Sequence, residues 1–466
     1  MKPELIHDYL TESAKQCGDK SFIICGSKKF SFQEIDDAST SLACQLIDLG
    51  LHPQDKVAVL LDNSAETVIA LYAISKAAGT FVVINSTVKA GKLSYILNNS
   101  NAKILITHTA KARIVLQAMN ICDEKPPVIW VTPTGNIPLA LKTETQCYNW
   151  NELTSQANAN PSISLHRANE KDLAALIYTS GSTGQPKGVM QPHDKMIGVA
   201  NSNIQYLGNE HDDVILNVLS LSFGYGLYQV LMAAIFGGTV VLEKGFVYLH
   251  DTLRKISVHH VTALPVVPTV LAMMLKLQDI EEYDFSSLKY ITNAGAALPV
   301  RYTRQLRKLI PHAHIYPMYG QTECVRTCYL RPEYIDERPD SVGFEIPNCK
   351  VWIADENGHE TGPDEVGELV VTGANVMDGY YKDPELTAQV FRPGPQPGQV
   401  HLYSGDFFRR DNDGFLYFVS RKGDMIKTRG ERVSPLEVEN LLLQIDGISE
   451  TAVIGVPDEI FGQVVK

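Results

Sequence analysis

Leu176–Met190, read LIYTSGSTGQPKGVM, gathers three glycines, two serines, two threonines and one lysine directly after an apolar run. Glycine lets a backbone fold tightly and turn its N–H groups toward an anion. Thr179, Ser180, Ser182 and Thr183 add hydroxyl donors, Gly181 and Gly184 add freedom to turn, and Lys187 adds a point charge suited to phosphate. This set fits the β- and γ-phosphates of a nucleotide. It is not the P-loop pattern, which needs Gly before the Lys and Ser or Thr after it. Here Pro186 precedes Lys187 and Gly188 follows. Taken alone, the stretch also reads as an ordinary Gly/Ser/Thr surface turn.

Three further sets follow in chain order. NAGAALP carries Gly295, Ala296 and Ala297, small enough for a flat base to slide against the backbone; the plain alternative is a turn that starts a helix. YPMYGQTEC carries Tyr319, Gly320, Gln321, Thr322 and Glu323. A carboxylate beside a hydroxyl suits a hard cation and a phosphate whose charge must be neutralised, the alternative being a solvated residue or a cap. YSGDFFRRDNDGFLYFVSRKGD carries Asp406, whose carboxylate can accept from two neighbouring hydroxyls, and Arg421. Otherwise these two are an aspartate in a turn and a surface cation.

In this order the stretches resemble the motifs of the adenylate-forming (ANL) superfamily of acyl-CoA synthetases, adenylation domains and luciferases, over essentially the whole chain. The resemblance implies that Thr179–Gly184 and Lys187 clamp the pyrophosphate of ATP and that Gly295, Ala296 and Ala297 line its adenine. It implies that Tyr319, within a motif completed by Gly320 and Gln321, stacks on adenine, that Thr322 bonds the α-phosphate, that Glu323 holds Mg2+, and that Asp406 and Arg421 hold the ribose. Thr322, Glu323 and Lys187 are the expected catalytic residues. The implied reaction has two halves. A small-molecule carboxylic acid attacks the α-phosphate and forms an acyl-adenylate; the thiol of CoA, or of a phosphopantetheine carrier protein, then takes the acyl group and releases AMP.

The acid is expected against Phe223, Gly224 and Tyr225 in LSLSFGYGLYQ. Amino-acid-activating members carry Asp where Gly224 stands. A buried ammonium without a counter-charge is costly, so an ordinary α-amino acid is disfavoured. FGYGL resembles aryl-CoA ligases, whereas MYGQTECVRTCYL resembles members that load carrier proteins. RKGDMIKTRGERVSPLEVE matches the hinge of the family's small domain, with Gly423 at the pivot and Lys427 to Gly430 toward the thiol acceptor. The family's adenylation lysine lies in a Pro…Gly-Lys motif beyond a segment like PDEIFGQ, with which this sequence nearly ends; Lys466 is not assigned that role. The expectation is a fragment or cleaved form of an active ligase. A truncated protein that binds ATP and acyl-adenylate is the alternative, and luciferase-like oxidation has no specific support.

The elements that position these residues are legible in outline. SFQEIDDASTSLACQLIDLG opens with a capping box, Ser31 and Glu34, and carries apolar residues at helical spacing to Gly50. KVAVLLD, TFVVIN, AKILIT and PPVIWVT read as buried strands, AETVIALYAISKAAG as a helix between two of them. This alternation predicts parallel sheets covered by helices. Leu173–Tyr178 reads as a strand and the segment after Lys187 as able to enter a helix. From about Val351, short strands and Gly/Asp turns predict an antiparallel, barrel-like subdomain, with a hairpin turn at Asp413–Gly414. SPLEVENLLLQI, capped by Ser434, and ETAVIGV predict a helix and a strand of the small domain, and Val464 and Val465 are expected to lack neighbours. The predicted architecture is α/β: residues 1–420 form a large domain of doubly wound sheets plus the barrel-like part, and 421–466 a truncated α+β domain.

Composition excludes other classes. A net charge of −12 offers no positive field for nucleic acid or an anionic membrane. MKPELIHDYLTESAKQCGDK lacks the apolar core of a secretory signal, and VTALPVVPTVLAMML, with two prolines, is too short to span a bilayer. Eight scattered cysteines, of which only Cys324 and Cys328 lie close, complete no zinc set and suit reduced thiols in a cytoplasm.

Overall fold

The computed structural model describes residues 3–133, 137, 141, 146–155, 165–180, 185–428, 431–443, 445, 447–448, 451–458 and 462–466. The chain folds as two compact units. The first comprises Met1–Val266, Leu277–Ile291 and Met377–Ala388; the second comprises Val267–Lys276, Thr292–Val376 and Gln389–Lys466.

The first unit contains two sheets of the expected parallel kind. One runs in the order Cys147–Asn149, Val128–Val131, Ala102–His108, Lys56–Leu60, Thr80–Val83, Leu173–Ser180 and Pro186–Pro192. All its neighbours are parallel except the last pair. In the other, Ser21–Cys25, Thr239–Leu242, Val214–Asn217 and Ala263–Val266 run parallel, and Lys28–Ser31 pairs antiparallel with Ser21–Cys25. The helix Ala65–Lys76 touches strands of both sheets, and every one of its residues except Glu66 is buried, as a largely apolar helix between layers must be. Its one buried cation, Lys76, donates to Asp36 Oδ1 at 2.7 Å. The helix Phe32–Asp48 starts as its sequence dictates: Glu34 N–H donates to Ser31 Oγ at 3.1 Å and Ser31 N–H to Glu34 Oε2 at 2.7 Å.

The chain does not enter a helix after Lys187. Pro186–Pro192 is a strand antiparallel to Leu173–Ser180, and the helix begins only at His193. The second strand persists because it gains a neighbour on its other side. Met190 N–H donates to Gly379 O, Asp378 N–H to Met190 O, and Tyr381 N–H to Gly188 O.

In the second unit, Val400–Arg410 is the spine of an antiparallel five-stranded sheet. It pairs with Gly367–Gly373 on one side and with Phe391–Pro393 and Leu416–Arg421 on the other, while Cys349–Ala354 flanks Gly367–Gly373. The hairpin between Val400–Arg410 and Leu416–Arg421 turns at Gly414, φ +91°, as the Asp413–Gly414 pair foretells. Beyond Arg421, a four-stranded antiparallel sheet (Glu431–Val433, Ile426–Thr428, Gly462–Val465, Gly455–Asp458) accompanies the helix Pro435–Leu442, whose Glu437 N–H is capped by Ser434 Oγ. Two expectations need correction here. The strand in ETAVIGV starts at Gly455, because Val453 N–H is taken by Glu439 Oε1 at 2.8 Å instead of a ladder partner. Val464 and Val465 are held in a strand opposite Val456 and Gly455 where fraying is expected, although the Val465 side chain remains exposed. Among the described residues no helix is long and apolar enough to cross a membrane.

Candidate active site

In the first unit two antiparallel strands, Leu173–Ser180 and Pro186–Pro192, flank the glycine-rich stretch. Thr179 stands opposite Lys187, and Tyr178 opposite Gly188. Gly188 packs closely on Tyr178: a Cβ there would lie 3.0 Å from that ring. Gly181, Ser182, Thr183 and Gly184 lie outside the described residues, and for Ser180 only the backbone is described. Lys187 Nζ lies 5.7 Å from the centroid of the Tyr380 ring, a cation–π arrangement that aims the ammonium. Sequence reading missed Tyr380. Its segment, MDGYYKD, carries no chemical signature and reaches Lys187 only through the ladder with Gly188 and Met190.

The second element of this unit is the turn after Val214–Asn217. Phe223 is the residue before the helix Gly224–Phe236 and is 53% exposed despite its size. Gly224 and Tyr225 form that helix's first turn, which contains no acidic residue. Gly226 cannot be larger, since a Cβ would lie 2.5 Å from Ser220 O.

In the second unit, His314–Tyr319 leads into the tight turn Gly320–Glu323, and Cys328–Tyr329 returns antiparallel to it. Cys324 N–H closes the turn on Gln321 O at 3.1 Å. Gly320 is dictated by close approach: a Cβ would sit 2.3 Å from Val325 O. Thr322 and Glu323 are half-buried on this turn.

Tyr319 and Gln321 converge on Asp406. Tyr319 Oη and Gln321 Nε2 each donate to Asp406 Oδ2 at 2.7 Å, and Gln321 Nε2 also donates to Ser404 O at 2.9 Å. Asp406 is not in a turn. It lies within the strand Val400–Arg410, with Arg421 as its cross-strand partner. Arg421 Nε is 3.8 Å from Asp406 Oδ1, and the arginine side chain is largely exposed whereas the aspartate is buried. Burial raises the Asp406 carboxyl above the usual aspartate value, opposed by the bonds from Tyr319 and Gln321 and the charge of Arg421. Burial, then the neighbouring Asp406, holds the Tyr319 hydroxyl well above its ordinary value, so it stays a donor. The Tyr319 ring meets Phe408 edge to face, centroids 4.8 Å apart.

Gly295, Ala296 and Ala297 form an exposed turn before the helix Val300–Leu309, with Gly295 at φ +87°. Buried Asn293 closes that turn by donating to Ala296 O at 3.1 Å. Cys324, next to Glu323, is no nucleophile: burial pushes its thiol up to about 12. All eight cysteines are free thiols. At the expected pivot, Gly423 has open space around it. Arg429 and Gly430, and the side chain of Lys427, lie outside the description.

A family model described as AMP-binding enzyme matches residues 10–381. A long-chain-fatty-acid–CoA ligase of Bacillus subtilis (strain 168) is 30% identical over 490 residues, spanning 99% of this chain and 84% of that protein. Tyrocidine synthase 2 of Brevibacillus parabrevis is 28% identical over 458 residues, spanning 98% of this chain but 12% of that much longer protein. Among solved structures, the o-succinylbenzoate CoA synthetase of Bacillus subtilis, in complex with its acyl-adenylate intermediate, is similar with a TM-score of 0.83 and 28% identity, over 98% of this chain and 87% of that one.

Proposed function

This chain belongs to the AMP-binding enzyme family of ATP-dependent, AMP-forming ligases, and we propose that it activates a carboxylic acid as an acyl-adenylate and passes the acyl group to the thiol of CoA. The observation that carries the proposal is the buried Asp406 carboxylate. Two donors brace its Oδ2, and its Oδ1 lies 3.8 Å from the Arg421 Nε. A carboxylate has capacity for about four hydrogen bonds, so a vicinal diol can still be accepted. In this reading Asp406 and Arg421 hold the ribose, Gln321 orients Asp406, and Tyr319 offers its ring to the adenine beside Gly295, Ala296 and Ala297.

Lys187, with Thr179, Ser180, Ser182 and Thr183, neutralises the leaving pyrophosphate, and Thr322 donates to the α-phosphate. These groups act by positioning and by countering charge. Among the described residues no three acidic, His or Cys groups cluster as a metal cage. Mg2+ does not need one, since it is commonly held by one or two carboxylates plus phosphate oxygens and water. Glu323 fits as that carboxylate, and the ion would supply charge neutralisation at the phosphates. The acid lies against Phe223, Gly224 and Tyr225; the first helical turn there lacks an acidic partner for an ammonium, which supports an acid without an α-amino group. Gly423 is the pivot of a mobile part from residue 421 onward: its surroundings would admit a Cβ, so glycine serves freedom rather than fit. Eight free thiols suit a reducing cytoplasm.

A carrier-protein thiol is the second reading of the acceptor, favoured by the similarity to part of tyrocidine synthase 2. AMP formation with CoA against a phosphopantetheinylated carrier protein separates the two. The metal assignment is tested by Glu323→Gln, with a large loss of Mg2+-ATP use expected in acid-dependent pyrophosphate release; unchanged use would remove Glu323 from the metal site.

A further inference from the structure

Asn63 is buried between the strand Lys56–Leu60 and the helix Ala65–Lys76. Its Nδ2 donates to Leu219 O and to Glu243 O, both at 2.8 Å, and its Oδ1 accepts from Leu221 N–H at 3.0 Å. The two carbonyls belong to separate loops, which leave the carboxyl ends of the adjacent parallel strands Val214–Asn217 and Thr239–Leu242. The first loop runs to Phe223, 53% exposed; the second runs to Val247 and Tyr248, 81% and 79% exposed. One buried amide therefore ties together two loops that each end in an exposed apolar side chain, an arrangement that marks a binding surface rather than a core.

The first loop is stiff in itself. Asn217 Oδ1 accepts from Leu219 N–H at 3.1 Å and its Nδ2 donates to Gly226 O at 3.2 Å. The Glu243 carboxylate at the root of the second loop is taken by Lys255 at 2.9 Å, so that residue's charge is already met. Glu243 N–H also donates to Asn217 O at 3.0 Å, so the ladder joins the loop roots; the two Nδ2 bonds add a second tie, from Glu243 to Leu219 farther along the first loop.

We propose that Asn63 is a positioning residue for the acid substrate: by tying the Leu219–Phe223 loop to the Glu243–Tyr248 loop it sets the gap that admits an acid with an apolar tail. This rests on the reading of residues 223–225 as the acid-binding segment. Asn63→Asp is the sharpest probe. It keeps the shape and the acceptor for Leu221 but turns an oxygen toward two carbonyls. Hydrogen exchange read by mass spectrometry should rise in residues 219–226 and 243–248 together. In pyrophosphate-release assays with dodecanoate and with benzoate, KM for the acid should rise about tenfold while KM for ATP stays within about twofold. Unchanged exchange in either loop, or equal rises in both KM values, would overturn the proposal. If Asn63→Asp does not fold, Asn63→Ala takes its place in both measurements. If the native chain releases no pyrophosphate with either acid, that failure falls on the functional reading, and the exchange result alone decides whether Asn63 ties the loops.

Discussion

Asp406→Asn keeps the shape of a buried side chain and removes its charge. In the native fold Oδ2 accepts from Tyr319 Oη and Gln321 Nε2 at 2.7 Å each, and an asparagine carbonyl can accept both. Its amide then faces Arg421 Nε, which lies 3.8 Å from Oδ1 on a largely exposed side chain, so the mismatch is mild. Burial raises the native carboxyl, which means that folding opposes the ionised form. The folded state therefore holds this proton more tightly, and the group's contribution to stability falls as pH rises from the ordinary aspartate value through the raised one. At pH 7 the substitution should leave Tm within about 2 °C of the native chain, or above it. Nucleotide binding should move the other way. A hydrogen bond to a charged acceptor is worth about 1.5–3 kcal/mol against about 0.5–1.5 for a neutral one. For two ribose hydroxyls the difference is about 2–3 kcal/mol, or about 30- to 150-fold in Kd for ATP. Calorimetric titration with ATP, run beside thermal unfolding, reads both quantities. A Kd within threefold of native, or a Tm drop like that of a core cavity, would refute the assignment of Asp406 as a ribose ligand held at a cost to stability.

Gly320→Ala should be destabilising by about 1–3 kcal/mol, because its Cβ would lie 2.3 Å from Val325 O; thermal unfolding checks it, and ATP affinity should fall with it since the turn carries Thr322 and Glu323. His7 and His193 should make the fold acid-sensitive. Burial chiefly lowers them to about 3 and about 4, with Asp8 pulling His7 and Asp172 pulling His193 the other way. Both are neutral when folded, so their stability is fully present above the unfolded value near 6.5 and is lost as pH falls from there toward 4 and 3. Each should contribute a loss of about 1.4 kcal/mol per pH unit in that window. Denaturant melts at pH 7, 6 and 5 should show a shallower slope for His193→Gln than for the native chain.

What was legible in the sequence was local. The Ser31–Glu34 capping box, the Gly414 turn and the apolar strand runs act over a few residues, and each element formed where its own residues dictated. The candidate site was legible as residue types but not as partners. Pro186–Pro192 is a strand because residues 378–381 pair with it, and nothing within PKGVMQP announces that neighbour. Asp406 and Arg421 read as a turn residue and a surface cation until strand register sets them opposite each other. Gln321 was only part of a motif; its bonds to Asp406 and Ser404 depend on a strand more than 80 residues away. Asn63 carried no signal, because a capping-region asparagine looks alike whether it holds one loop or two.

The most direct measurement is pyrophosphate release from Mg2+-ATP by this chain, run with and without a panel of fatty and aryl acids, followed by mass spectrometry of the products after CoA is added. Acid-dependent pyrophosphate release, with AMP and an acyl-CoA appearing only when CoA is present, is the expected result. ATP turnover independent of every acid, or yielding ADP and phosphate in place of AMP and pyrophosphate, would contradict it.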